Sequence, residues 1–209
     1  MEPNQAAEQL QAIRTLMERS AVYRRALAPI MIYCGAVGLI GGVAGDLLPL
    51  HESRRFVFYW AAVAVLALIG SFLLVRRQAF RDSEPFWSPP TRRVAQALIP
   101  GIVVGAFAGS ILAWLNPYWY ECRFIVPLWC VLFGLALHSA GFFMPRGLKL
   151  FGWLFLAMGI LLFSIFMAGE SVAAALVLQP HWLMGLTFGG LHLAYGIYLY
   201  FTEKRGKTS

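Results

Sequence analysis

Two imidazoles and one phenol are the side chains best suited to bind something inside this largely apolar chain: His138, His192 and Tyr195. Both histidines sit on glycine stripes. Gly134, His138 and Gly141 form one; Gly185, Gly189, His192 and Gly196 form the other. Spacings of three, four and seven place each set on one face of a helix, so each imidazole is expected to face a neighbouring helix and not lipid. A neutral imidazole placed there can ligate a metal or a haem, or it can hydrogen-bond a ligand held between helices. It can also bond a backbone carbonyl or hydroxyl of a nearby helix, the usual way a buried polar group is satisfied in a membrane bundle. The two histidines differ in depth by about 6 Å along a helix axis, which suits two axial ligands of one haem poorly. No cofactor is therefore expected, with haem the group the pair would otherwise suit.

Further ligand-type side chains are Asp46, His51, Glu52, Glu121, Cys122, Glu170 and His181. They fall in separate turns at one side of the apolar runs and show no HExxH or other metal-site spacing. They are expected to be solvated loop ends. Cys34, Cys122 and Cys130 contain no CxxC pair and read as free thiols, with Cys122 and Cys130 on one helix. The stretch GAVGLIGGVAG lies inside an apolar run and reads as helix packing, not as a nucleotide loop. No nucleophile elbow or P-loop occurs, so no catalytic residue is predicted and an enzyme is not the expected reading.

The elements that must hold these groups follow from composition. Of 209 residues, 59% are hydrophobic and 13% charged, and mean hydropathy is +0.66. A soluble domain carries about 25% charged residues, so the bilayer is the solvent here. Apolar runs at 26–48, 56–75, 94–115, 124–144, 148–168 and 182–201 each match a slab about 30 Å thick. The expected fold is all-α, a bundle of six transmembrane helices. Ahead of it, residues 1–25 hold an amphipathic segment with Leu10, Ile13, Leu16, Met17 and Val22 near helical spacing, suited to lie in the interface. No cleavable signal peptide is expected, and the first run should stay as an anchor. Gly38, Gly41, Gly42 and Gly45 form a close-approach face on that run. Pro100 should bend the third. The fifth run and the apolar SVAAALVLQP after it make too long a helix to span, so a break is expected near Gly169 and Glu170, with 171–178 at the outer interface.

The charges orient the bundle. With the N-terminus inside, fourteen of the seventeen Lys and Arg residues fall on the cytoplasmic side, and Arg54, Arg55 and Arg123 fall outside. Residues 202–209 form a cytoplasmic tail. The same bias explains the net charge of +7 without nucleic acid.

The main cytoplasmic loop reads RRQAFRDSEPFWSPPTRR. Arg76, Arg77, Arg81, Arg92 and Arg93 suit anionic headgroups. Between them Phe86 and Trp87 either anchor at headgroup level or form a hot spot for a cytoplasmic or membrane protein partner. Ser88-Pro89-Pro90 has the form of a helix start.

The segments EPFWSPPTRRVAQALIP, IRTLMERSAVYRRAL and FGGLHLAYGIYLY together resemble an uncharacterised family of small bacterial multi-pass membrane proteins. The resemblance covers most of the chain. It implies a bacterial inner membrane and carries over no activity. The function expected is that of a non-enzymatic accessory, sensor or regulatory protein working through its basic face. A small transporter or binder of an apolar ligand near His138, His192 and Tyr195 is the alternative, followed by a haem or redox protein.

Overall fold

The computed structural model describes residues 27–48, 50, 52–81, 87, 89–115, 122–144, 146–168 and 179–205. The expected amphipathic segment of 1–25, Phe86, His51, Glu121, Glu170 and the segment 171–178 lie outside the described residues. What is described is all-helical. Five helices are long and apolar enough to cross a membrane: α1 (Leu27–Leu47), α2 (Ser53–Arg81), α3 (Pro89–Leu115), α4 (Cys122–Ala140) and α5 (Arg146–Met167). The sixth apolar run lies in a continuous helical stretch made of α6 (Pro180–Met184), a π-helical turn (Gly185–Gly190) and α7 (Leu191–Arg205).

The apolar runs lie within the helices nearly as expected, with two differences. Helix α2 continues to Arg81, so its 29 residues measure about 43 Å and outrun an apolar slab of about 30 Å. Helix α4 ends at Ala140, and residues 141–144 form a turn. Helix α3 starts at Pro89, as the Ser88-Pro89-Pro90 sequence suggested, and includes Pro100. Its two opening prolines sit where an N–H would have no intrahelical partner anyway.

Helix α4 is central. Cys122 donates to Ser53 of α2 at 3.3 Å, and Trp129 Nε1–H donates to the Gly105 carbonyl of α3 at 2.8 Å. Gly134 of α4 and Gly152 of α5 meet backbone to backbone, so that a Cβ on Gly134 would lie 2.8 Å from the Gly152 carbonyl oxygen. Phe133 lies against Phe188 of the π-helical turn. Lipid tails are as apolar as leucine, so helices associate in a bilayer through such close packing and interhelical hydrogen bonds.

The last helical stretch returns to the first. A Cβ on Gly38 would lie 2.7 Å from the Gly189 Cα, one on Gly42 2.9 Å from the Gly185 Cα, and one on Gly196 2.7 Å from the Ile32 nitrogen. The two glycine stripes thus pair with each other. Polar clamps hold α1 to α2: Tyr59 Oη donates to the Gly41 carbonyl at 2.6 Å and Tyr33 Oη to the Leu66 carbonyl at 3.0 Å. Cys34 and Ser71 are 3.2 Å apart. Ser71 spends its proton on the Ala67 carbonyl at 2.7 Å, which leaves the Cys34 thiol as donor. All three cysteines are free.

Candidate functional site

His192 occupies the apolar interior. Phe133 of α4, Phe151 and Phe155 of α5 surround its ring at centroid distances of 5.5, 5.1 and 5.4 Å, and it is 6% exposed. Its Nδ1 lies 2.6 Å from the Phe188 carbonyl. A carbonyl can only accept, so Nδ1 carries the proton in this bond. The same carbonyl also accepts the Leu191 backbone N–H at the end of the π-helical turn. Tyr195, one turn on, stacks on Phe151 at 4.5 Å. His192 and Tyr195 therefore share one α5 ring.

His138 is elsewhere. It packs edge-on against Trp153 at 5.3 Å and Phe142 at 5.6 Å. Trp153 is exposed, and it sits two residues from Phe151, about 200° around α5. The two histidines thus lie on opposite sides of α5 and are not brought together. His138 Nδ1 is buried without a hydrogen bond to any described residue. The two imidazoles should respond differently to replacement by phenylalanine. His192→Phe removes one hydrogen bond to the Phe188 carbonyl, which keeps the Leu191 backbone N–H, and should cost about 0.5–1.5 kcal/mol, whereas His138→Phe removes a ring nitrogen that bonds nothing described and should be near neutral. Thermal unfolding of the purified variants in detergent measures both, and equal losses would show that the two sites are equivalent.

A third histidine was not foreseen. His181, expected as a solvated loop end, is 1% exposed, and Cys122, grouped with it there but also read as a free thiol on the helix of Cys130, is 0% exposed on that helix. Trp60 Nε1–H donates to His181 Nδ1 at 3.1 Å, so this nitrogen holds the lone pair, the opposite tautomer to His192. Phe56 and Tyr59 of α2 flank the ring at 5.0 and 5.4 Å. From the other side it fills the space above Gly45, where any Cβ would collide with Nδ1. The available signal was Gly45 itself, which extends the α1 stripe to its end and so calls for a large neighbour there. Among the remaining members of that set, Asp46 and Glu52 are exposed. Glu52 pairs with Arg55 at 3.4 Å, a surface contact worth little.

No protein family, curated protein or solved structure matches this chain.

The basic residues of the main loop are placed differently from the imidazoles. Arg76, Arg77 and Arg81 are exposed at the end of α2, and Arg92 and Arg93 are exposed near the start of α3. Arg76 lies over the Phe80 ring at 5.5 Å. Arg92 lies 6.0 Å over the ring of Trp87, which is also exposed. Leu73, Arg76, Arg77, Phe80 and Arg81 together line a shallow depression on α2. Among the described residues, no three His, Cys, Asp or Glu side chains gather as a metal would require. Two kinds of place thus exist: interior imidazoles embedded in aromatic packing, and an exposed basic-aromatic rim. The first can position helices. The second can engage anionic or aromatic surfaces outside the bundle.

Proposed function

We propose that this chain is a bacterial inner-membrane protein with six crossings and both termini in the cytoplasm, acting as a non-enzymatic accessory, sensor or regulatory protein. Its basic cytoplasmic rim contacts lipid and a protein partner. The observation that carries this reading is the exposed pairing of arginine with aromatic rings at the ends of α2 and α3, with Arg92 over Trp87 and Arg76 over Phe80. The charge bias supports the orientation. The helical stretch Pro180–Arg205, about 39 Å long, supports the sixth crossing. Aromatic filling around His192 favours this reading over a ligand cavity or a haem pocket.

Replacing Phe86 and Trp87 together by alanine should release the partner while leaving the bundle folded. Cross-linking in cells, followed by purification and mass spectrometry, reads this out. A partner recovered in unchanged yield from the double variant would remove the recognition role from the loop. The orientation has its own check, since a reporter fused after Ser209 should stay cytoplasmic and an exported one would reverse the topology.

A further inference from the structure

The depression on α2 has an unusual profile along the helix axis. Leu73 is exposed and continues a row of exposed apolar side chains, Val65, Leu66, Leu68, Ile69 and Phe72. Arg76 and Arg77 come next, then Phe80, then Arg81, and all four are exposed. These residues recur at three- and four-residue spacing, which puts them on one side of α2. Leu73 lies about 12 Å above Arg81 along the axis, with Arg76 and Arg77 between. If the apolar run 56–75 spans the slab, Leu73 is at acyl depth and Arg76 and Arg77 are at headgroup depth.

We infer that this side of α2 is a binding site for one anionic phospholipid of the inner leaflet. The phosphate would sit between Arg76, Arg77 and Arg81, and an acyl chain would run along Leu73. The inference deepens the proposed lipid contact and rests on the orientation given there. Two features favour a lipid over a cytoplasmic peptide. The site is continuous with the lipid-facing belt of α2, so an occupant that touches all of it must have both an apolar chain and an anionic head. Its charge is also carried by guanidinium groups, which hydrogen-bond phosphate oxygens in a fork. Phe80 contributes by holding Arg76 over its ring, which limits the rotamers of an otherwise free side chain. Phe80 is 70% exposed and would lie beside the headgroup, at the depth where aromatic rings collect.

The test uses the full chain in neutral detergent. Native mass spectrometry follows stepwise binding of phosphatidylglycerol, phosphatidylethanolamine, inorganic phosphate and an acidic peptide. Phosphatidylglycerol should bind at least about tenfold more tightly than phosphatidylethanolamine. A basic side chain near the membrane surface is worth about fivefold in anionic-lipid affinity, so the triple variant Arg76→Gln, Arg77→Gln, Arg81→Gln should bind phosphatidylglycerol about a hundredfold more weakly. Arg55→Gln, at the other end of α2, should bind like the parent. Equal binding of the two lipids, or a triple variant that retains phosphatidylglycerol, would overturn the inference. Tighter binding of the acidic peptide at these arginines would overturn it in favour of a protein ligand, and tighter binding of free phosphate would reduce it to an anion site. Should the triple variant fail to fold, Arg77→Gln and Arg81→Gln singly should each show the fivefold loss. Their retention of parental affinity would be equally decisive against the site. A cytoplasmic reporter at Ser209 together with unaltered lipid binding would sink this inference alone, whereas an exported reporter would sink the orientation whatever the lipid result.

Discussion

Changing Gly189 to alanine is expected to lower the thermal unfolding midpoint by on the order of 10 °C, while the same change at the adjacent Gly190 should leave it unchanged or raise it slightly. Both residues lie in the π-helical turn, and only their direction differs. A Cβ on Gly189 would collide with the Leu39 backbone nitrogen and lie 2.7 Å from the Gly38 carbonyl carbon. These are main-chain atoms, so no rotamer change can relieve the overlap, and α1 must move away. Overpacking of this kind costs about 1–3 kcal/mol, and more where the backbone must shift. For a protein of this size 1 kcal/mol is about 2–4 °C. A Cβ on Gly190 meets nothing within 4 Å, and alanine is the better helix former by up to about 1 kcal/mol. Comparing the two midpoints in one detergent cancels most effects of the micelle. A Gly189→Ala protein as stable as its Gly190→Ala counterpart would mean that α1 and the last helical stretch do not meet at these glycines.

The second large effect belongs to His181. Replacing it by alanine should cost about 3–5 kcal/mol, the range for emptying a buried aromatic-sized site, because it also leaves the Trp60 indole N–H without its acceptor. Trp60 is itself 3% exposed, so water cannot readily replace that bond. Trp60→Phe removes the donor and should cost less. The two changes share one hydrogen bond and one packed cluster, so their effects should not add. A double-mutant cycle should show a coupling of about 0.5–3 kcal/mol. Strict additivity would mean that the 3.1 Å contact contributes nothing to stability. Replacement of His181 by phenylalanine separates the parts, keeping most of the volume while still orphaning the indole.

Much of this architecture was legible in the chain because hydropathy and periodicity report how each residue meets lipid. The first and fifth runs, expected at 26–48 and 148–168, are realised as Leu27–Leu47 and Arg146–Met167. The glycine stripes around Gly38 and Gly189 were readable as close-approach faces because few other residues permit backbones to touch. Their mutual pairing was not readable, since a stripe says that something comes near without saying what. The π-helical turn escaped for a similar reason: one wider turn changes the phase of a helix without changing its composition. His181 was misplaced because a histidine beside Pro180 at the end of an apolar run resembles a loop residue, and only the space over Gly45 marks it as interior. For the candidate sites, the spacing around His192 rightly implied an inward-facing ring. It could not show that His138, on a similar stripe, would face the opposite side of α5. The arginines at the end of α2 were legible as a basic cluster. That Leu73 and Phe80 share their side of the helix depended on α2 continuing to Arg81, beyond the point where its apolar run stops.

The pairing of α1 with the last helical stretch also constrains how the protein is made. During synthesis α1 enters the bilayer long before 180–205 leave the ribosome. Its stripe of Gly35, Gly38 and Gly42 faces Leu193, Gly189 and Gly185 in the finished fold, so until those residues arrive it can be covered only by lipid or by another protein. The Trp60–His181 bond, which spans 121 positions, is just as late. Helices α4 and α5, neighbours in sequence and closely packed, can pair as soon as both are inserted. Assembly should therefore begin with sequence neighbours, α1 with α2 through the Tyr59 and Tyr33 clamps and α4 with α5, and finish with closure of the last helical stretch against α1, as expected where local contacts form before distant ones. A chain that stalls before its final helix would carry an uncovered glycine groove in the membrane, a feature by which a quality-control protease could tell an unfinished molecule from a complete one.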